Sequence, residues 1–195
     1  MANAGARISS SAALLFQGGI VVVALLGIVI FGVEVHRGSL PAAVAFVLGS
    51  AGGMATFALL WGLSRLGGFF PSKLKSHVRE LHQFARGFSW PVIICLSALA
   101  GVGEELLFRG LIQGWLAEAG NEAFGVAVAA LLFGLLHFLS LAYFMAATLM
   151  GVLLGAAYVV SESIFLVIVW HGVYDLVALV FLRDFPHLLG MNEEG

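Results

Sequence analysis

Charged residues and cysteines are scarce in this chain. Only 10% of its 195 residues are Asp, Glu, Lys or Arg, whereas 61% are hydrophobic. Soluble domains carry about 25% charged residues, so this composition indicates a membrane protein. The net charge of −2 leaves no basic surface for a polyanion, which excludes nucleic-acid binding. The single cysteine, Cys95, excludes an internal disulfide and a cysteine-rich zinc finger.

Long apolar runs fill most of the chain. Because a membrane-spanning helix needs about 20 mostly apolar residues, the runs predict an all-α polytopic membrane protein with about six transmembrane helices. They cover residues 12–33, 42–63, 91–118, 121–140, a fifth run that ends near 160, and 164–182. Gly-x-x-x-Gly pairs predict close contacts between helices, and they occur at 49/53, 110/114 and 151/155.

The segment over residues 70–90 differs in composition from the runs on either side. Basic residues are interleaved there with apolar ones at the spacing of one helical face, namely Leu74, Val78, Leu81, Ala85 and Phe88. This pattern predicts one amphipathic helix at the bilayer surface, and a solvated connecting helix is the alternative. The predicted parts are two N-terminal transmembrane helices (1–69), the interfacial helix (70–90) and a helical core (91–195).

Basic residues concentrate on one side of the predicted membrane. Cytoplasmic loops are enriched in Lys and Arg. With six spans, only Arg37 lies opposite the others, which are Arg7, Arg65, Lys73, Lys75, Arg79, Arg86 and Arg183. The distribution predicts that both termini are cytoplasmic, and the lack of organelle-targeting signals favours a prokaryotic inner membrane.

Ionisable residues also occur inside the predicted spans. One Asp or Arg at the centre of a membrane helix costs about 2.5–3.5 kcal/mol, so such residues must be paired or line a polar cavity. They are Glu104, Glu105 and Arg109 in the third span, His137 in the fourth, and His171 and Asp175 in the sixth. Functional use is the default hypothesis for residues of this kind.

Spacing within the third span separates its two glutamates. Glu105 and Arg109 are four residues apart and share a helical face, which predicts an intrahelical ion pair. Glu104 lies about 100° away around the helix, so it is not the natural partner of the same arginine. Glu104 is therefore the carboxylate available for another purpose.

The histidines have structural as well as functional interpretations. His137 follows Phe133 by four residues, which aligns an aromatic ring with the imidazole, and a hydrogen bond to nearby backbone would suffice to satisfy it. His171 and Asp175 are also four residues apart and predict a local pair. The presence of such residues on three different helices is what favours a functional site.

Two chemistries suit this set of side chains. A carboxylate beside a neutral imidazole can deprotonate water, and donors on another helix can stabilise the oxyanion formed when that water attacks a carbonyl. Glu104, His137, His171 and Asp175 would equally make a Zn²⁺ site, in which the metal lowers the pKa of bound water toward about 7. The residue types alone do not distinguish these two chemistries. A proton-coupled transporter is a further alternative, although no internal repeat supports it.

Other intramembrane protease patterns are missing. No glutamate directly follows a histidine, so a His-Glu-x-x-His helix is absent. Ser50 lacks the first glycine of a rhomboid-like Gly-x-Ser-Gly pattern, and only Asp175 is available for an aspartyl dyad.

Three motifs in successive spans carry a family resemblance. Glu104-Glu105-Leu-Leu-Phe-Arg109 is followed by Phe133-Gly-Leu-Leu-His137 and then by His171-Gly-Val-Tyr-Asp175. In this order they resemble the CPBP (ABI) family of CAAX proteases and bacteriocin-processing enzymes. The resemblance covers about residues 91–182.

The resemblance implies an intramembrane endopeptidase that acts on a membrane-anchored or prenylated protein. It implies that Glu104 and His137 activate water and that His171 and Asp175 stabilise the oxyanion. Supporting roles would fall to Glu105, Arg109 and Phe133. Some relatives serve in bacteriocin immunity, so a non-catalytic binding module is the alternative.

Asp175 departs from the family pattern, in which this position is often Asn. An ionised Asp cannot donate a hydrogen bond to an oxyanion. Either Asp175 is protonated, or it orients His171, or a metal is present. Zn²⁺ therefore stays open as a cofactor.

Overall fold

The computed structural model describes residues 9–65 and 77–189, which are mostly helical. The α-helices are α1 (Ser10–Phe31), α2 (Ala42–Arg65), α3 (Val78–Ala85), α4 (Trp90–Glu105), α5 (Gly114–Ala119), α6 (Glu122–Leu136), α7 (Leu141–Ser161) and α8 (Ile164–Asp184). A π-helical segment (Leu106–Gln113) joins α4 to α5, and a 3₁₀ turn (Pro186–Leu189) follows α8. These two ranges contain no β-strand, and the predicted all-α membrane fold is confirmed.

Among the described residues, five helices are long and apolar enough to cross a membrane. They are α1, α2, the continuous helix Trp90–Ala119, α7 and α8. The fourth predicted span corresponds to α6, which has only 15 residues. This length spans about 22 Å, less than a hydrocarbon core of about 30 Å.

The predicted end of the fourth span near Ser140 is wrong. The helix ends at Leu136, and Ser140 is instead the N-cap of α7, where its side chain accepts a hydrogen bond from the backbone N–H of Tyr143. A capping serine begins a new helix here because its hydroxyl satisfies an N–H that lacks a partner within the helix. The other predicted spans agree with the observed helices to within a few residues.

Helix α8 lies at the centre of the bundle and packs against α2, α4 and α7. A Cβ atom at Gly49 or Gly53 of α2 would lie 2.5 Å from the carbonyl oxygens of Leu166 and Trp170, respectively. Glycine at these two positions therefore allows the predicted close approach of two helices. Gly110 makes only ordinary contacts with neighbouring side chains, whereas a Cβ atom at Gly114 would lie 2.9 Å from Cγ1 of Val33.

The two ends of the bundle differ in charge. At one end the α1–α2 loop contacts the α7–α8 turn, and the backbone N–H of Ile164 donates to the carbonyl oxygen of His36 over 3.0 Å. At the other end Arg65 donates to the carbonyl oxygen of Leu188, and Arg183 donates to that of Phe88. We call this second end, with α3 and the 3₁₀ turn, the basic end.

Helix α3 confirms the amphipathic pattern over the residues that the structure describes. Ala85 is buried, whereas Arg79 and Glu80 are exposed. The helix packs against α8. Residues 66–76, which include Leu74 of the predicted apolar face, lie outside the described residues.

Candidate active site

Two glycines near the end of α4 let neighbouring helices approach its glutamates from different sides. A Cβ atom at Gly101 would lie 2.7 Å from the carbonyl oxygen of Ile168 in α8. A Cβ atom at Gly103 would lie 3.0 Å from Cγ2 of Val21 in α1. Any larger residue would push these helices away, so the glycines place the carboxylates of α4 between α1 and α8.

Glu105, Arg109 and His171 form a buried hydrogen-bonded cluster, in which Oε2 of Glu105 and Nε of Arg109 have no partner. Nη1 of Arg109 donates to Oε1 of Glu105 over 2.8 Å, so the predicted ion pair is present. Nδ1 of His171 donates to the same oxygen over 2.7 Å. Arg109 is 1% exposed, Glu105 is 0% exposed and His171 is 3% exposed. Because a buried charge is costly unless it is paired, Glu105 holds both Arg109 and α8 in place.

The π-helical segment ties this cluster to α7. Nη2 of Arg109 donates to the carbonyl oxygen of Gly151 over 2.9 Å, and Nε2 of Gln113 donates to that of Gly155 over 3.2 Å. Both donors lie in the π segment and both acceptors lie in α7. Such segments occur frequently at functional sites.

Glu104 lies beside this cluster but has a different environment. Its Oε1 accepts a hydrogen bond from Nε2 of Gln17 in α1 over 3.1 Å. Its Oε2 is buried without a hydrogen-bond partner. That oxygen lies 3.6 Å from Nε2 of His137 and 4.0 Å from Nε2 of His171. One free carboxylate oxygen therefore faces two imidazole nitrogens.

His137 directly follows the last residue of α6. Its Nδ1 donates to the carbonyl oxygen of Phe133 over 2.8 Å, and the two rings are 4.4 Å apart. Because a carbonyl only accepts, Nδ1 carries the proton and Nε2 of the neutral ring is an acceptor aimed at Glu104. His137 thus lies at the end of α6 and still reaches Oε2 of Glu104.

Phe133 packs at the centre of the site. Its ring lies 5.1 Å from that of Phe108 and 5.8 Å from that of His171, both in edge-to-face contact. The guanidinium carbon of Arg109 lies 5.0 Å from the ring centre. These contacts fix the orientation of the neighbouring side chains, as aromatic and cation–π geometry favours.

Asp175 borders the open side of His171. Its Oδ2 lies 3.6 Å from Nε2 of His171, and its side chain is 28% exposed. This distance is within ion-pair range but longer than a hydrogen bond, so the predicted local pair is present as a charge contact. The direct partner of His171 is Glu105, which is distant in sequence.

An apolar cavity of about 700 Å³ leads away from these residues. His137, His171 and Asp175 line it at the site, and Trp61 and Leu189 line it at the basic end. Most other lining residues are hydrophobic side chains of α1, α2, α3, α7 and α8. The site is thus connected to the basic end by a hydrophobic passage.

Glu104, His137, His171 and Asp175 are the possible metal ligands of the site. Within residues 9–65 and 77–189, no group of three or more His, Cys, Asp or Glu side chains is placed to hold one ion. Glu104, His137, His171 and Asp175 carry donor atoms of the kinds that bind Zn²⁺, and they are the residues that would hold it.

All seven residues predicted from the motifs lie in one cluster, namely Glu104, Glu105, Arg109, Phe133, His137, His171 and Asp175. Sequence analysis missed Gln17 and Gln113. A single amide inside an otherwise apolar helix was the available signal for Gln17, because buried polar groups need partners.

Comparison with known families agrees with this geometry. A family model described as type II CAAX prenyl endopeptidase Rce1-like matches residues 86–177. This segment belongs to the CPBP family of CAAX proteases. The match contains all three motifs, and it supports CAAX-type endopeptidase activity within the membrane, on a membrane-associated substrate, in general terms. No curated protein and no solved structure matches the chain.

The CAAX protease match begins after α2. It therefore covers α4 to α8 for most of their length, but it does not include α1. Gln17, which touches Glu104, lies outside the matched residues.

Proposed function

We propose that this chain is an intramembrane endopeptidase that uses Glu104 and His137 to activate water. Its substrate is a membrane-anchored or lipidated protein, including prenylated CAAX-type proteins. Water attacks a peptide carbonyl of that substrate without a metal.

The observation that carries this proposal is the free Oε2 of Glu104. This buried oxygen has no hydrogen-bond partner and lies 3.6 Å from Nε2 of His137. A water placed about 2.8 Å from both atoms would donate one hydrogen bond to each of them and accept none. The geometry therefore favours deprotonation of a bound water.

The proposed hydrolysis proceeds through a tetrahedral intermediate. Water gives one proton to Glu104 while its oxygen bonds to the substrate carbonyl carbon. The carbonyl oxygen becomes an oxyanion that accepts a hydrogen bond from Nε2 of His171. The C–N bond then breaks, and the proton on Glu104 moves to the leaving amine nitrogen.

Asp175 has an orienting role in this proposal. Nδ1 of His171 already donates to Glu105, so donation from Nε2 requires a proton on both ring nitrogens. Asp175 is the carboxylate 3.6 Å from Nε2. At this distance its negative charge attracts the N–H without a hydrogen bond, which leaves the N–H free to donate to a substrate carbonyl oxygen.

The apolar cavity supports a lipid-linked or membrane-embedded substrate. It is bordered by hydrophobic side chains from the basic end to the site. An apolar group of the substrate would gain burial there, while the peptide bond reaches His171. The CAAX endopeptidase description of the matched family supports the same substrate class.

We propose that the basic end faces the cytoplasm, because cytoplasmic segments are enriched in Lys and Arg. Arg65 and Arg183 lie at this end, and Arg37 lies in the loop at the opposite end. Helix α3 then lies along the cytoplasmic surface, where anionic lipids attract basic residues. Substrates would reach the site from that side.

The test is proteolysis by the purified protein in liposomes, with a library of membrane-anchored and prenylated peptides. We expect Glu104→Ala to reduce cleavage by about 10²- to 10⁴-fold, because the base is removed. Glu118→Ala is the matched control, since it removes an exposed carboxylate from the same long helix. A chelator should leave wild-type cleavage unchanged.

Two outcomes would contradict the proposal. Loss of cleavage on chelation, restored by Zn²⁺, would support a metal-dependent mechanism. If wild type and Glu104→Ala fail equally to cleave any peptide while both confer immunity or bind a partner, the chain is a binding module.

A further inference from the structure

Gln17 is a polar residue in the middle of an apolar membrane helix. Its Nε2 donates to Oε1 of Glu104 over 3.1 Å. It is partly buried and borders the site cavity. Burial of an amide in this position is unfavourable unless it makes such a hydrogen bond. The contact therefore accounts for the presence of this residue in α1.

The backbone geometry of the two helices makes this contact possible. Gly103, directly before Glu104, has no side chain, and a Cβ there would lie 3.2 Å from the backbone nitrogen of Val21. Gln17 is one helical turn before Val21 on the same face of α1. Close packing of α1 on α4 thus brings the amide to the carboxylate.

The hydrogen bond makes the two oxygens of Glu104 different. An ionised carboxylate only accepts, so the amide must present its NH₂ group. Oε1 is held by that group, whereas Oε2 is left without a partner on the side of the histidines. Rotation of the carboxylate would break the bond to Gln17.

We propose that Gln17 is a positioning residue that fixes Glu104 with Oε2 toward His137 and His171. This inference rests on the proposed role of Glu104 in water activation. It makes α1, which lies outside the CAAX protease match, part of the site. Gln17 acts through Glu104 and does not touch the reacting atoms.

The test compares Gln17→Met with wild type in the liposome assay. Methionine has a similar length and fills the same space but cannot donate a hydrogen bond. We expect kcat to fall about 10- to 100-fold, because small misplacements of a catalytic group have effects of this size. KM and the melting temperature should stay close to wild type, since substrate contacts and packing are kept.

Gly19→Ala is the control on the same helix, because a Cβ at Gly19 has no atom within 4 Å. It should leave kcat unchanged. If Gln17→Met has wild-type kcat while Glu104→Ala is inactive, this inference is overturned and the proposed function stands. A loss in Gln17→Met that parallels a fall in melting temperature would also overturn it. Equal activity of wild type and Glu104→Ala overturns both proposals.

A second measurement is independent of catalysis. The chain has three glutamines, so their side-chain NH₂ signals can be assigned by NMR in detergent. Glu104→Ala should shift the signal of Gln17 and leave that of Gln83 in place. An unchanged Gln17 signal would show that the contact does not exist in solution, which overturns the inference.

Discussion

The two adjacent glutamates of α4 have different environments. Glu105 is fully buried, and its Oε1 accepts hydrogen bonds from Arg109 and His171, whereas its Oε2 has no partner. Glu104 also has one oxygen without a partner, but that oxygen faces Nε2 of His137 and Nε2 of His171. Neighbours on a helix point about 100° apart, so one residue step separates the carboxylate of the ion pair from the carboxylate proposed to activate water.

His171 belongs to both sides of this comparison. Its Nδ1 is fixed by Glu105 and its Nε2 faces Glu104 and Asp175. We call the first group, around Glu105, the closed half of the site, and the second group, around Glu104, the open half. The closed half orients the ring, and the open half leaves room for a water and a peptide carbonyl. The proposed catalysis requires both because an unsupported imidazole would not hold this direction.

The sharpest way to separate the halves is to remove each glutamate in turn and measure stability. Glu105→Ala leaves the buried Arg109 without its carboxylate, and breaking a buried ion pair costs about 3–5 kcal/mol. We expect a strongly lowered melting temperature in detergent. Glu104→Ala removes one partly satisfied group and should keep the wild-type melting temperature. Equal melting temperatures for the two variants would contradict the division.

A smaller effect is expected for Arg109→Lys in the closed half. Lysine keeps the charge but lacks the planar group that reaches both Glu105 and the carbonyl oxygen of Gly151. Loss of that second bond should lower the free energy of unfolding by about 1–3 kcal/mol. Arg65→Lys, at an exposed position, is the control. The prediction fails if both variants unfold at the wild-type denaturant concentration.

The smallest effect is expected for Asp175→Asn in the open half. Asparagine is the common family residue here, and its amide can both accept from His171 and donate to an oxyanion. The rate of peptide cleavage should stay within about tenfold of wild type, which corresponds to one hydrogen bond. A loss of several hundredfold would show that the negative charge of Asp175 is itself required.

Contacts within one helix were predictable from the sequence, and contacts between helices were not. The spacing of Glu105 and Arg109 predicts their ion pair because four residues complete about one turn. The hydrogen bond from His171 to Glu105 joins residues 66 positions apart. No periodic pattern encodes such a contact, so spacing alone favoured Asp175 as the partner of His171.

The helices themselves followed closely from the apolar runs, because each lipid-exposed span must be about 20 residues long. The exception is α6, where the run continues through Phe138 and Leu139 although the helix has ended. An apolar run indicates contact with lipid or with the protein interior, but it does not show where the backbone changes direction. Gln17 was missed for a related reason, since one amide has little weight in a long apolar run.

The short helix α6 has a consequence for the surrounding bilayer. Leu131, Leu135 and Leu136 are exposed on it, so lipid tails contact a helix of only 15 residues. Lipid beside it must thin or tilt to avoid a mismatch in hydrophobic length. His137 follows the last residue of α6, so we expect thinning there to shorten the distance that water crosses to reach Glu104.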